Sequence, residues 1–266
     1  MKIVDTVLDF PNGSWGEDCF ILGENSRFIG VLDGSSPITK LPMKGYHSQA
    51  EWFVQLLINK LVEDNTLCKF AEVCQRSVDE LWSENNEILS NRSSENLPCS
   101  MLSAMELEDN FVNFYVLGDC GLAFKRLDGV SEVITDTRVN YYSDKTKQVR
   151  LGAIANGVDP LVAVQKQMTE NRACMNVEGG FWTASFKGYF KSEMLTSSIP
   201  ISQLDCCLLY SDGFARGFEV GLYSYDSILT QSISLESALN LLRSWESTSN
   251  KEVKRHDDVS AILVNF

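Results

Sequence analysis

Four apolar runs in this chain are each bounded by aspartate. Phe28-Ile29-Gly30-Val31-Leu32 runs into Asp33-Gly34. Phe111 to Leu117 runs through Gly118 into Asp119, and Cys206 to Ser211 runs into Asp212-Gly213. Further on the order reverses, and Asp257-Asp258 leads into Val259-Ser260-Ala261-Ile262-Leu263-Val264. Runs of this length, rich in β-branched and aromatic residues, read as buried strands. Three strands ending in Asp and an antiparallel partner beginning with Asp bring all four carboxylates to one edge of one sheet. Clustered carboxylates repel one another and cannot all stay ionised unless a cation joins them. Oxygen-only clusters suit hard divalent cations such as Mg²⁺ or Mn²⁺. The pattern points to a metal-dependent hydrolase.

The rest of the composition narrows the field. A net charge of −13 argues against non-specific binding to nucleic acid or to an anionic membrane. No uninterrupted apolar stretch reaches the roughly 18 residues of a membrane span, and Met1-Lys2-Ile3-Val4-Asp5 does not open a signal peptide. The eight Cys form no CxxC pair and no zinc-spaced array with His, and most lie inside apolar runs as buried free thiols do. A reducing, cytoplasmic setting is the expectation. With two His, His47 and His256, there is little material for His-based nucleophile schemes.

Along the chain, Trp52, Phe53, Leu56, Leu57 and Leu61 recur at helical spacing and predict a helix between Pro42 and Asp64. A second helix is expected from about Leu67 to Asn86. Strands follow from Cys99 to about Thr135, with a hairpin through Asp119-Cys120-Gly121. Residues 136–157 are polar, and Gly152 and Gly157 suggest a loop. Asp159-Pro160 opens a helix to about Thr169, and Leu235 to Trp245 reads as another. No repeat or linker divides the chain, so residues 1–266 are expected to form a single domain. Strands, two long helices, more strands, then helices and a last strand suit an α+β sandwich better than alternating βαβ units.

Five short motifs occur in order: Gly16-Glu17-Asp18-Cys19-Phe20, Val31-Leu32-Asp33-Gly34, Leu117-Gly118-Asp119-Cys120, Tyr210-Ser211-Asp212-Gly213 and Asp257-Asp258-Val259-Ser260. Together they resemble the motif series of the type 2C (PPM) metal-dependent serine/threonine phosphatases, in a divergent, bacterial-like form. The resemblance spans nearly the whole chain. It implies a four-layer α-β-β-α sandwich of two mostly antiparallel sheets flanked by helix pairs, with two Mn²⁺ or Mg²⁺ ions at one end. By that resemblance Asp33 bridges the ions and the Gly34 carbonyl helps hold one of them. Asp212 and Asp257 serve the first ion, Glu17 serves the second with Asp18 behind it, and Asp119 holds a looser third. Asp258 stands behind the ligands. The implied activity is hydrolysis of phosphoserine or phosphothreonine in a phosphorylated protein substrate. A water activated between metals about 3.5–4 Å apart would attack phosphorus in line, and Asp33 and Asp212 would be central.

Two departures bear on substrate and rate. Asp33-Gly34-Ser35-Ser36-Pro37 lacks the His that the family carries after the bridging Asp, and Ser cannot replace imidazole as a general acid near neutral pH. Gly13 stands where the family often has a phosphate-gripping Arg; Arg27, Lys40 and Lys44 are the nearby cations. Two other readings therefore stay open: a pseudophosphatase that binds a partner or phosphorylated ligand without turnover, and a phosphatase for a small metabolite. Lys145, Lys147 and Arg150 form a small basic cluster, either a solvated loop or a docking point for a phosphorylated partner.

Overall fold

The computed structural model describes residues 1–11, 13–22, 27–39, 43–64, 66–248 and 256–266. Lys40, one of the cations near Gly13, and Pro42, the start of the span read as the first helix, lie outside the described residues. The strands are β1 (Lys2–Asp9), β2 (Asp18–Ile21), β3 (Phe28–Ser35), β4 (Cys99–Glu108), β5 (Phe111–Leu117), β6 (Gly121–Arg126), β7 (Ser131–Thr135), β8 (Ala184–Ser185), β9 (Leu195–Pro200), β10 (Leu204–Tyr210) and β11 (Val259–Asn265). The helices are α1 (Gln49–Glu63), α2 (Phe70–Glu84), α3 (Asn86–Leu89), α4 (Asn140–Ala155), α5 (Pro160–Ala173), α6 (Asp212–Glu219), α7 (Tyr225–Leu229) and α8 (Leu235–Thr248). Among the described residues, one antiparallel sheet runs β1-β11-β10-β6-β7 and the other β2-β3-β4-β5-β9, with β8 paired to β4.

Alternation along β3 shows how the layers form. Phe28 and Leu32 face α1 and α2 in one core, while Ile29 and Val31 face the second sheet. Between the sheets, Ile29, Val31, Phe114 and Val116 pack on Leu122, Phe124, Leu209 and Ile262. The outer face of the β10–β11 sheet packs Leu208, Tyr210 and Leu263 on Phe214, Leu235 and Leu242 of α6 and α8. The product is the expected α-β-β-α sandwich. Ser48 caps α1 by accepting from the Glu51 N–H at 3.0 Å, and Trp52, Phe53, Leu57 and Leu61 are buried along its inner stripe.

Two expectations are corrected. Residues 140–155 form helix α4 rather than a loop. Only Ala153 of it is buried, so it carries no apolar stripe to read. It is held laterally by α5, where Asn171 Nδ2 donates to Tyr142 O at 3.0 Å and to Thr146 Oγ1 at 2.9 Å. The turn Asp119-Cys120-Gly121 closes no hairpin: β5 belongs to one sheet and β6 to the other, so the chain crosses between layers there. Gly118, at φ +74°, makes the crossing, where a Cβ would run into the Met101 side chain.

Candidate active site

The aspartates collect at the end of the sandwich, between the two sheets, rather than along the edge of one. Inward alternation on β3 puts Asp33 on the face it shares with Ile29 and Val31. Asp18 is its direct register partner on β2, so the two carboxylates lie side by side, an unfavourable like-charge pair. Both are buried. Asp119 sits at the crossing between layers. Asp212 opens α6 immediately after β10, and Asp257 and Asp258 precede β11. Gly213 permits this closure: a Cβ there would fall 1.9 Å from the Asp258 carbonyl oxygen.

Each acid has distinct support. Ser260 Oγ donates to Asp18 Oδ2 at 2.7 Å. The Glu17 N–H donates to Asp258 Oδ2 at 2.5 Å, and the Gly34 N–H to Glu17 O at 3.0 Å. Ser36 Oγ donates to the Glu17 carboxylate. Asp257 Oδ2 is 3.2 Å from Arg216 Nη2, and Asp257 O accepts from Arg243 Nη2 at 2.8 Å. Glu246, nearly inaccessible, ties this side together by accepting from Arg216 at 2.9 Å and Arg243 at 2.7 Å, with His256 Nδ1 at 3.1 Å.

Electrostatics mark the other side as strained. Burial pushes the Asp33 carboxyl well above the usual range, and Asp212, Asp18 and Asp119 push it further; Asp33 and Asp212 are in hydrogen-bond contact. Burial raises Asp18 as well, against the opposing hydrogen bonds from Ser260 and Ser211. Desolvation and the same aspartates raise the Cys120 thiol, so it is not a poised thiolate. Among the described residues, neither Asp18 nor Asp33 pairs with a cation. The oxygen-only donors and their unrelieved repulsion fit hard divalent ions. Among the described residues, no three acids, thiols or imidazoles stand in ligating positions about one point.

Of the cations near Gly13, Lys40 lies outside the described residues and Arg27 is engaged elsewhere. Arg27 pairs with the buried Glu106 and donates to the Thr66 carbonyl. His47 stacks on Trp15 at 4.8 Å and contacts Glu51. Sequence reasoning missed Arg216 and Arg172. Arg216 lies one turn after Asp212, a spacing that faces both residues the same way. Arg172 had no signal, being one cation in a polar helix. Its buried guanidinium donates to Leu97 O at 3.0 Å, to Ser35 O and Oγ at 2.9 Å, and to Ser36 O at 2.6 Å. It fixes the segment that follows Asp33-Gly34.

Comparison with solved structures gives the same architecture. A bacterial serine phosphatase aligns over 100% of this chain and 99% of its own, with a TM-score of 0.57 at 11% identity. The serine/threonine phosphatase PstP/Ppp of Mycobacterium tuberculosis aligns over 98% and 97%, with TM-score 0.55 and 15% identity. Stp1 of Staphylococcus aureus aligns over 100% and 96%, with TM-score 0.55 and 14% identity. A PstP catalytic domain described in complex with two manganese ions has TM-score 0.53 at 16% identity, over 98% of this chain and 96% of its own. No protein-family model matches the sequence, and no curated protein does. The chain therefore has the fold of the bacterial serine/threonine phosphatases, the fold its motif series implied. Among the described residues, no helix is long and apolar enough to cross a membrane.

Proposed function

We propose that the chain is a divergent type 2C phosphatase that hydrolyses phosphoserine or phosphothreonine esters with two divalent cations, Mn²⁺ or Mg²⁺. The observation that carries the reading is the convergence of Asp18, Asp33, Asp119 and Asp212 between the sheets of a phosphatase fold. Asp33, Asp212 and Asp257, with Glu17 and the Gly34 carbonyl, would hold the pair; Asp18 backs them and Asp119 would hold a third. Bound cations there supply neutralisation of phosphoryl charge and a more acidic water. The chain itself supplies orientation. Ser260 fixes the Asp18 carboxylate, Ser36 fixes Glu17, and Arg172 fixes the Ser35-Ser36 backbone beside Asp33.

A second reading, binding of a phosphorylated ligand without turnover, is favoured by the Arg216–Asp257 contact, which neutralises an expected ligand internally. Hydrolysis of p-nitrophenyl phosphate by EDTA-stripped protein, with and without Mn²⁺, separates the two. The phosphatase reading expects activity that appears with Mn²⁺ and falls at least about 100-fold in Asp212→Asn, as for loss of a group acting on the transition state. Equal activity in EDTA and Mn²⁺ would refute metal dependence. Absence of activity with Mn²⁺ bound would favour the second reading.

A further inference from the structure

A cleft of about 580 Å³ is lined by neighbours of the aspartate cluster, though by none of its aspartates. One wall is β4, through Met101, the register partner of Asp33, whose side chain lies against Gly118 just before Asp119. Ser35, two residues past Asp33, and Arg216, on Asp257, line the same end. The opposite wall is the α4–α5 pair, which contributes Lys147, Arg150, Met168 and Arg172. Phe181, Val220 and Trp245 complete an apolar floor.

The charge of this lining is the reverse of the chain's. In a protein of net charge −13, the cleft is lined by Lys147, Arg150, Arg172 and Arg216 against one acid, Glu219, with Arg216 already paired to Glu246 and Asp257. Elsewhere the guanidinium groups of Arg27, Arg76, Arg126, Arg138 and Arg243 each pair with a carboxylate. Among the described residues, Lys147, Arg150 and Arg172 pair with none; Arg92, which does not line the cleft, is the other Arg of this kind. Arg172 spends its donors on carbonyl and hydroxyl oxygens that leave its charge uncompensated. A row of uncompensated cations against an apolar floor suits an occupant that is anionic and apolar by turns. Met101, Met168 and Met175 make the lining adaptable, as peptide-binding surfaces are.

We propose that this cleft holds the peptide segment flanking the phosphorylated residue and selects acidic segments. A carboxylate of the substrate lies on Lys147 and Arg150, and an apolar side chain lies against Met168, Phe181 and Trp245. The proposal rests on the phosphatase reading for the adjoining centre. It gives α4 a role consistent with its lack of a buried stripe: its polar face lines the cleft instead of a core.

The test uses two labelled phosphoserine peptides, identical except for three flanking Glu in one and three flanking Lys in the other. Binding is read by fluorescence anisotropy in EDTA, where no metal-dependent turnover interferes, and kcat/KM is read with Mn²⁺. The acidic peptide is expected to bind about tenfold tighter, as two partly exposed ion pairs allow, and the preference should shrink with salt. Lys147→Glu/Arg150→Glu should invert the order. If that variant melts early, Lys147→Gln/Arg150→Gln should abolish the preference without reversing it. Equal binding of the two peptides to the unmodified protein, or a preference that survives both variants, would overturn the proposal. Competition by AMP or glucose 6-phosphate as strong as by the acidic peptide would overturn it too. The two readings fail separately. Preference without hydrolysis removes the phosphatase and keeps the cleft; hydrolysis without preference does the reverse.

Discussion

Asp33→Asn is expected to stabilise the metal-free protein while abolishing its activity. The carboxyl is buried, its pKa is raised by burial and by three neighbouring aspartates, and no cation offsets the repulsion among the described residues. An acid whose folded pKa lies above its unfolded one favours folding fully only below the unfolded value. That contribution is lost as pH rises through the folded value. Neutral pH is roughly three units above the ordinary value of 3.8, so even a fully protonated Asp33 would cost the fold at most about 4 kcal/mol at pH 7. Asn keeps the shape and removes this cost together with its share of the strain on Asp18. A gain of about 2 kcal/mol is expected, or a Tm rise of roughly 4–8 °C for a chain of this size. Thermal and urea unfolding in EDTA at pH 5 and pH 8 measure it, and the gain should be larger at pH 8. Mn²⁺ should reverse the ranking, because a ligand at 100 times its Kd adds about 2.7 kcal/mol to the form that binds it. An Asp33→Asn variant no more stable than its parent in EDTA at pH 8 would refute the claim that the aspartates strain one another.

Two further substitutions probe the frame around the site. Gly213→Ala puts a Cβ 1.9 Å from the Asp258 carbonyl oxygen; backbone cannot yield as a side chain does, so a loss of at least about 2 kcal/mol in urea unfolding is expected. Parent-like stability would mean that α6 does not close on the start of β11 as described. Glu246→Ala removes the buried carboxylate that Arg216 and Arg243 share but leaves them Asp257 and Asp9, so about 1–3 kcal/mol should be lost; no loss in urea unfolding would show that solvent already screens these pairs.

The parts of the site that were legible in sequence are those written locally. Strands β3, β10 and β11 announced themselves as apolar runs because they are central and buried on both faces. Their bounding aspartates announced the cluster. Which sheet each strand joins was not legible: a Gly-Asp-Cys-Gly turn looks the same whether its strands pair or separate into two layers. The cluster was therefore expected at one sheet edge and lies instead between two. Helix α4 was illegible because it buries almost nothing, and hydrophobic periodicity cannot report a helix held by polar contacts to its neighbour. Arg172 reaches Ser35 across a separation of 137 residues, a partnership with no local trace.

The two sides of the centre differ in what a cation must displace. On the Asp18–Asp33 side no cation pairs with the acids among the described residues, so a divalent ion bound there would relieve repulsion. On the Asp257 side Arg216 is already present at 3.2 Å, so an ion coordinated by Asp257 competes with a guanidinium. Two divalent ions should therefore bind unequally, the first relieving strain and the second displacing a contact. Arg216→Gln removes the competitor but leaves Glu246 its Arg243 partner at 2.7 Å, so the fold is retained. Titration calorimetry with Mn²⁺ should resolve two classes of site in the parent. In the variant, the weaker site should tighten about tenfold, the worth of one partly buried charge contact of roughly 1.4 kcal/mol. Weaker binding in the variant would mean that Arg216 orients Asp257 for the ion instead of opposing it, and the inequality would need another origin.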